Sequence, residues 1–207
     1  MEFGAFEREY WKDNTVVAGA DEVGMGAFAG PVVAAVVSFA ASTKSQIAGH
    51  KFIRIEDSKK LTENRRNDAN GWIIENADFV GIGEGSVNEI DRLGIRGALG
   101  LAYRRALKNF KCGVLLIDGF EIPLLTVAQK AIVKGDSKVF SIAAASIVAK
   151  VYRDNLMVQL NKELDKYSWD KNKGYGTADH RKAILTHGKS NYHRELYVRN
   201  CLKMKLS

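Results

Sequence analysis

Cysteine is nearly absent: 207 residues hold only Cys112 and Cys201. Two thiols that far apart form neither a CxxC pair nor a disulfide framework, and neither has a His or Cys companion at zinc-ligand spacing. A reducing compartment fits that usage. Proline is as scarce, with two residues, so no proline-rich linker divides the chain. Long apolar runs are missing as well. The longest, Ala27 to Ala41, is interrupted by Pro31 and Ser38 and falls short of the ~18 residues of a membrane span. The opening Met1-Glu2-Phe3-Gly4 is acidic and lacks a signal-peptide layout. These absences exclude a disulfide scaffold and a membrane protein and predict a cytoplasmic protein, and a monomer is expected. No internal repeat or low-complexity tract occurs. At 46% hydrophobic and 27% charged, the chain has the composition of a folded domain, and it is long enough to bury a sizeable core.

Charge is balanced in one part and not in the other. Met1 to Ala149 carries 18 basic and 18 acidic residues. Lys150 to Ser207 carries 13 basic and 6 acidic, so the whole net charge of +7 lies in the last 58 residues. Clustered Lys and Arg gain free energy by displacing counterions from phosphates, which points to a polyanionic partner. Charge alone leaves a merely solvated basic surface as the other reading.

Thr15 to Ala20 and Pro31 to Val37 read as buried strands joined by a glycine-rich turn, Phe79 to Gly83 as a weaker strand, and Val114 to Ile117 as a short apolar one. Helices alternate with them. Asn88 followed by Asp91 marks a helix start, after which Ile90, Leu93, Ala98, Leu101, Ala102 and Leu107 keep helical spacing. Ser137 is placed to cap a long helix with Ile142, Ala145, Ala149, Tyr152, Leu156 and Leu160 in one stripe. Thr177 to Gly188 reads as a short helix with a threonine cap and a glycine stop. The pattern predicts an α/β domain with a helical C-terminal extension.

The acids sit in informative places. Asp21-Glu22 follows an apolar strand directly, Asp118 ends another, and Asp136 precedes the long helix. Strand ends are where α/β sheets gather ligand and catalytic groups. Four converging carboxylates repel one another unless a cation neutralises them, and hard oxygen ligands suit Mg²⁺ or Mn²⁺. Read singly, Asp118-Gly119 is also a common turn dipeptide and Asp136 an ordinary cap. Two consecutive acids in an apolar, glycine-rich stretch are harder to dismiss, because burying them costs free energy. Adjacent strand residues face opposite sides, so both reach one site only where the strand ends or distorts.

After these acids comes Gly24-Met25-Gly26-Ala27-Phe28-Ala29-Gly30-Pro31. Its third glycine is one place late for a dinucleotide fingerprint, and a strand follows instead of a helix. The ordered set Ala20 to Gly26, Ala29 to Val33, Asp57-Ser58-Lys59-Lys60-Leu61, Ile117-Asp118-Gly119, Lys134 to Lys138, Ser141 to Val151, and Gly174-Tyr175-Gly176-Thr177 with His180 resembles ribonuclease HII, the type 2 ribonucleases H. The resemblance covers about residues 15 to 195.

The resemblance implies a ribonuclease H-like mixed five-stranded sheet flanked by helices, with a catalytic core over 1–163 and a basic helical extension over 164–207 packed on the same domain. It implies an endonuclease that cuts the RNA strand of RNA–DNA hybrids and cuts at ribonucleotides embedded in duplex DNA. The products it implies are a 3′-hydroxyl and a 5′-phosphate. Asp21, Glu22, Asp118 and Asp136 match the family's four active-site acids, which would hold two divalent ions, Mg²⁺ or Mn²⁺, during turnover. Gly24, Met25 and Gly26 match the turn whose backbone reads the 2′-hydroxyl, the group that tells RNA from DNA. Tyr175 matches the tyrosine that packs against the deoxyribose at an RNA–DNA junction. Lys59 and Lys60 match a loop near the phosphates, and Ser146 and Lys150 are candidate phosphate contacts. Two positions depart from the family. Met25 stands where a basic residue is usual, and Gly94 stands where Asn is common. The type 3 enzymes carry an extra N-terminal domain, whereas about fourteen residues precede the first strand here, which favours type 2. No residue pattern marks a replication-factor contact.

Two other readings fit part of this pattern. One is a nuclease or resolvase of the same broad fold acting on branched or single-stranded DNA; substrates differing by one ribonucleotide separate it. The other is a non-catalytic nucleic-acid-binding relative, against which all four acids speak.

Overall fold

Two apolar strands set the frame of the computed structural model, which describes residues 4–43, 55, 58–123 and 125–203. Strand β1 (Val17–Val23) pairs antiparallel with β2 (Val32–Ser38), and β2 with β3 (Phe79–Gly85). On the other side, β1 pairs parallel with β4 (Val114–Asp118), and β4 with β5 (Gln129–Ile132), giving the order β3-β2-β1-β4-β5. Every residue of β2 is buried, because helices cover both faces. Its odd-numbered side chains Val33, Ala35 and Val37 pack with Ala143, Ala144 and Ile147, and its even-numbered ones with Ala98, Leu99 and Ala102. A period-2 strand between two helical layers explains the continuous apolar run.

The helices are α1 (Arg8–Trp11), α2 (Glu63–Asn76), α3 (Val87–Ala106), α4 (Phe140–Glu163), α5 (Trp169–Asn172), α6 (Ala178–His187) and α7 (Glu195–Lys203). Glycines let α3 lie directly on β3. A Cβ at Gly81, Gly83 or Gly85 would stand 1.9, 2.1 or 2.5 Å from the carbonyl oxygens of Ala106, Ala102 and Ala98. The strand looks weak in sequence because the helix backbone occupies the space its side chains would need. No described helix is long and apolar enough to cross a membrane.

Several expectations shift. Helix α3 starts two residues earlier than the Asn88–Asp91 pair predicts. Ser86 is the cap, and Glu89 closes a reciprocal capping box. Leu93 is 54% exposed, because Gly94 breaks the helix beside it with φ 72° and ψ 165°. That conformation is essentially confined to glycine, so the Asn that the resemblance implies at position 94 would need a different local backbone. Ser137 does not cap the long helix. It lies in a 3₁₀ turn (Gly135–Ser137) with its hydroxyl on the Lys134 carbonyl, and α4 begins at Phe140. Buried Glu7 serves the helix start instead, accepting from the Ser141 amide at 2.9 Å and its hydroxyl at 2.7 Å. A carboxylate there also complements the helix dipole. The stripe expected on α4 fails at Tyr152, which is 38% exposed. The buried positions in that half are Arg153, Met157 and Leu160. The Thr177 cap and Gly188 stop of α6 are observed.

Residues after α4 fold back onto its C-terminal half. Tyr167, Trp169, Ile184 and Val198 pack with Met157 and Leu160, and with Ala29 of the glycine turn. The basic quarter is thereby joined to the loop that follows the acids.

Candidate active site

The β1–β4 register pairs Ala20 with Ile117, so Asp21 and Asp118 follow side by side on parallel strands. The 3₁₀ turn after β5 brings Asp136 to the same place. One carboxylate oxygen each from Asp21, Asp118 and Asp136 lies within 4.8 Å of the others. Asp21 and Asp136 are buried and Asp118 is half-buried. Asp118 Oδ1 accepts from the Gly135 amide at 2.7 Å, which locks β4 to the turn carrying Asp136.

Glu22 stands outside that trio. Strand β1 does not break between the two acids: its ladder with β2 runs through Val23, pairing Asp21 with Ala35 and Glu22 with Ala34. Asp21 therefore points to the α4 face and Glu22 to the α3 face, where the Tyr103 hydroxyl donates to Glu22 Oε2 at 2.7 Å. Both acids nonetheless line one 350 Å³ cleft at the end of the sheet, with Val23, Ser58, Lys59, Ser146, Lys150 and Tyr175. Two larger hollows, of 570 and 450 Å³, lie away from the carboxylates.

Burial, then the charge of Glu22, pushes Asp21 up to about 8, against hydrogen bonds from Ser146 and the Glu22 amide. Burial raises Glu22 as well, opposed by the Tyr103 hydroxyl and the charge of Lys59. The donor set suits a hard divalent cation. Carboxylate oxygens converge, no thiol or imidazole stands among them, and neutralising charge is what the site lacks. An acid raised in the folded state keeps its proton between pH 3.8 and about 8, while the unfolded chain has released it. Metal-free stability therefore falls as pH rises through that window. A cation held by ionised Asp21 reverses the effect, so saturating Mn²⁺ should raise Tm more at pH 8 than at pH 6. Thermal melts of wild type and Asp21→Asn check this; equal Mn²⁺ shifts at both pH values in wild type would contradict it.

The other expected residues divide. Lys59, Ser146, Lys150 and Tyr175 line the cleft; Lys60 is exposed and does not. Ser146 bonds the Ser58 hydroxyl at 2.8 Å, and Lys150 bonds Asp154 at 2.8 Å. Asp57, part of the same sequence motif as Lys59, lies outside the described residues. Gly24 is buried with φ 92°, Gly26 is exposed, and Met25 is half-buried against the apolar cluster under α3. The turn is held to the C-terminal segment by Phe28 and Ala29 amides on the Gly174 carbonyl and by bridges Ala27–Tyr175 and Ala29–His193. His180 steadies Tyr175. Its Nδ1 donates to the Tyr175 carbonyl at 2.9 Å while Nε2 accepts from Trp169 Nε1 at 3.1 Å, and burial depresses its pKa, favouring the neutral ring.

Tyr103 gave no sequence signal, since an aromatic on an amphipathic helix reads as core. It is fully buried and orients Glu22. Tyr103→Phe removes one oxygen and nothing else. It should lower activity or Mg²⁺ affinity by about 10- to 100-fold, the usual effect of losing a partner that orients a metal-site ligand. Unchanged Mg²⁺-titrated kinetics would show that Glu22 needs no such support.

Comparison with known proteins finds relatives of the chain and of its fold. The family model described as Ribonuclease HII covers residues 18–205. The ribonuclease HII of Prochlorococcus marinus is 46% identical over 187 residues, spanning 87% of this chain and 88% of its own. Among solved structures, the ribonuclease HII in the PCNA complex from Archaeoglobus fulgidus superposes with a TM-score of 0.71 at 23% identity, over 87% of this chain and 94% of that one. Bst-RNase HIII in complex with Mn²⁺ superposes at 0.69 and 19% identity, over 92% of this chain and 70% of that one. At these identities the two structures establish the shared fold.

Proposed function

The chain belongs to the ribonuclease HII family and is a divalent-metal-dependent endoribonuclease; from that premise we propose that it cuts the RNA strand of RNA–DNA hybrids and cleaves at ribonucleotides embedded in duplex DNA. The convergence of Asp21, Asp118 and Asp136 oxygens within 4.8 Å at one end of the sheet carries this reading. These three, with Glu22, would hold Mg²⁺ or Mn²⁺. Two such ions, when bound, would supply a lowered pKa for the attacking water and charge neutralisation at the departing 3′-oxygen.

The chain's own residues do the rest. Lys59 and Lys150 bring positive charge to the cleft, where a phosphodiester would lie. Ser58 and Ser146 offer hydroxyls beside it. The amides of Met25 and Gly26 have no partner among the described residues and are the donors available to a 2′-hydroxyl. Tyr175 gives a sugar an apolar face at the cleft wall. Residues 1–163 would form the catalytic core and the basic 164–207 segment the clamp that holds the duplex against the turn. A sliding clamp is the class of protein partner proposed, by analogy with the Archaeoglobus fulgidus complex.

Incubating the purified protein with an RNA–DNA hybrid tests the reading. Internal cuts in the RNA strand with Mg²⁺ or Mn²⁺, abolished by EDTA, are expected. Metal-saturated protein that leaves both the hybrid and a ribonucleotide-bearing duplex intact would overturn it.

A further inference from the structure

Arg153 and Arg194 are both fully buried, and no carboxylate pairs with either among the described residues. Burying an unneutralised guanidinium is costly unless dipoles replace the missing counter-charge. Here the dipoles come almost entirely from one loop. Arg153 donates through Nε to the Pro31 carbonyl at 3.0 Å and through Nη2 to Ala29 at 3.0 Å. Arg194 donates through Nε to Gly30 at 2.9 Å and through Nη1 to Met25 at 3.1 Å. The Arg194 amide takes the Phe28 carbonyl at 2.8 Å. The carbonyls of residues 25, 28, 29, 30 and 31 thus all turn into the protein.

The amide side of the loop is the complement. Ala27, Phe28, Ala29 and Gly30 spend their N–H groups on Gly24, Gly174 and Tyr192 carbonyls. Met25 and Gly26 do not, and a Cβ at Gly26 would meet nothing within 4 Å. The Arg153 guanidinium also requires glycine at position 24. A Cβ at Gly24 would lie 2.3 Å from Arg153 Nε, and φ is +92° there. Arg153 further reaches the Lys173 carbonyl at 2.8 Å and lies 5.4 Å from the centre of the Tyr175 ring, so one side chain joins the turn to the Tyr175 segment.

We propose that Arg153 and Arg194 are positioning residues for sugar recognition. Gripping the turn's carbonyls from behind, they hold the Met25 and Gly26 amides toward the substrate's 2′-hydroxyl and fix Tyr175 beside them. The inference rests on the function proposed above. Both residues stay cationic at neutral pH, Arg194 even though burial and the neighbouring Arg153 draw it down to about 10. Their two charges therefore also stand behind the loop that meets the polyanion.

Arg153→Lys and Arg194→Lys keep the charge and lose the fork that spans two or three carbonyls. Each should lower kcat on a duplex with one embedded ribonucleotide by about 10- to 100-fold, the scale of a small misplacement of a recognition group. Affinity for the all-DNA duplex and the Mn²⁺-induced Tm shift should stay within about two-fold of wild type, the change expected when no contact is lost there. Unchanged kcat would overturn the inference, as would a parallel fall in all three quantities, which marks a merely structural role. Amide hydrogen exchange on the wild type tests it without relying on variants that fold. The Met25 and Gly26 amides should exchange freely in the unbound protein and be slowed by the ribonucleotide duplex but not by its all-DNA counterpart; prior protection, or no difference between duplexes, contradicts the proposal. Wild type that cuts both duplexes alike would overturn the functional reading itself, a result distinct from these.

Discussion

Asp118→Asn is expected to reduce Mg²⁺-dependent cleavage by about 10³-fold, the scale on which a single electrostatic contact to a transition state operates. The substitution is informative because it spares the fold. Asp118 Oδ1 accepts from the Gly135 amide, and the asparagine oxygen can do the same, so the link between β4 and the 3₁₀ turn survives. What disappears is one negative charge from three oxygens that lie within 4.8 Å. A cation held by the remaining acids loses affinity and has less charge to balance. Single-turnover assays with saturating Mg²⁺ and Mn²⁺ measure the loss, and thermal melts establish that the variant is folded. Activity within about ten-fold of wild type, too little for the loss of such a contact, would remove Asp118 from the catalytic set.

The second large effect concerns the sugar. Two duplexes identical except for one ribonucleotide should differ in kcat/KM by about 10⁴-fold, because a site built to hydrogen-bond a hydroxyl rejects an analogue that lacks it. The asymmetry has a physical source. In the proposed readout, a duplex lacking the 2′-hydroxyl would desolvate the Met25 and Gly26 amides and leave them unsatisfied. The phosphate contacts proposed for Lys59 and Lys150 would be the same on both duplexes, so binding should differ far less than cutting. Competition between the two substrates in one reaction reads the ratio directly. Equal rates would favour a general nuclease of the same fold.

The sequence showed the inner strands plainly, the edge strand β3 weakly and the edge strand β5 not at all. Strands β1, β2 and β4 are apolar runs, because helices cover the sheet. Strand β5, Gln129–Ile132, lies at the edge with half-exposed polar residues and no alternation to mark it. The four acids were visible from their position at strand ends and from the family motifs. Their division between the two faces of β1 was not, since it depends on the ladder continuing through Val23. Capping was misplaced for a similar reason. Helix α4 takes its carboxylate from Glu7, more than a hundred residues away in the chain, and spacing carries no information about such a partner. Arg153 was hidden most completely. A basic residue in a helix ordinarily reads as solvated, and only the tertiary fold shows that the glycine turn wraps its guanidinium. Met25 stands where the family resemblance implies a basic residue. Its half-buried packing under α3 and the two arginines behind the turn place the nearby positive charge on other residues.

A cleavage-site map on a duplex containing one embedded ribonucleotide, with Mg²⁺ or Mn²⁺, tests most directly whether these carboxylates direct hydrolysis beside a 2′-hydroxyl. The expected result is a single cut at the ribonucleotide, with a 3′-hydroxyl on one fragment and a 5′-phosphate on the other, as attack by water with departure of the 3′-oxygen requires. A 2′,3′-cyclic phosphate end would show that the substrate's own 2′-hydroxyl is the nucleophile, and cuts scattered through the deoxyribonucleotides would show that the turn does not read the sugar. Either outcome would contradict the mechanism drawn from Asp21, Glu22, Asp118 and Asp136.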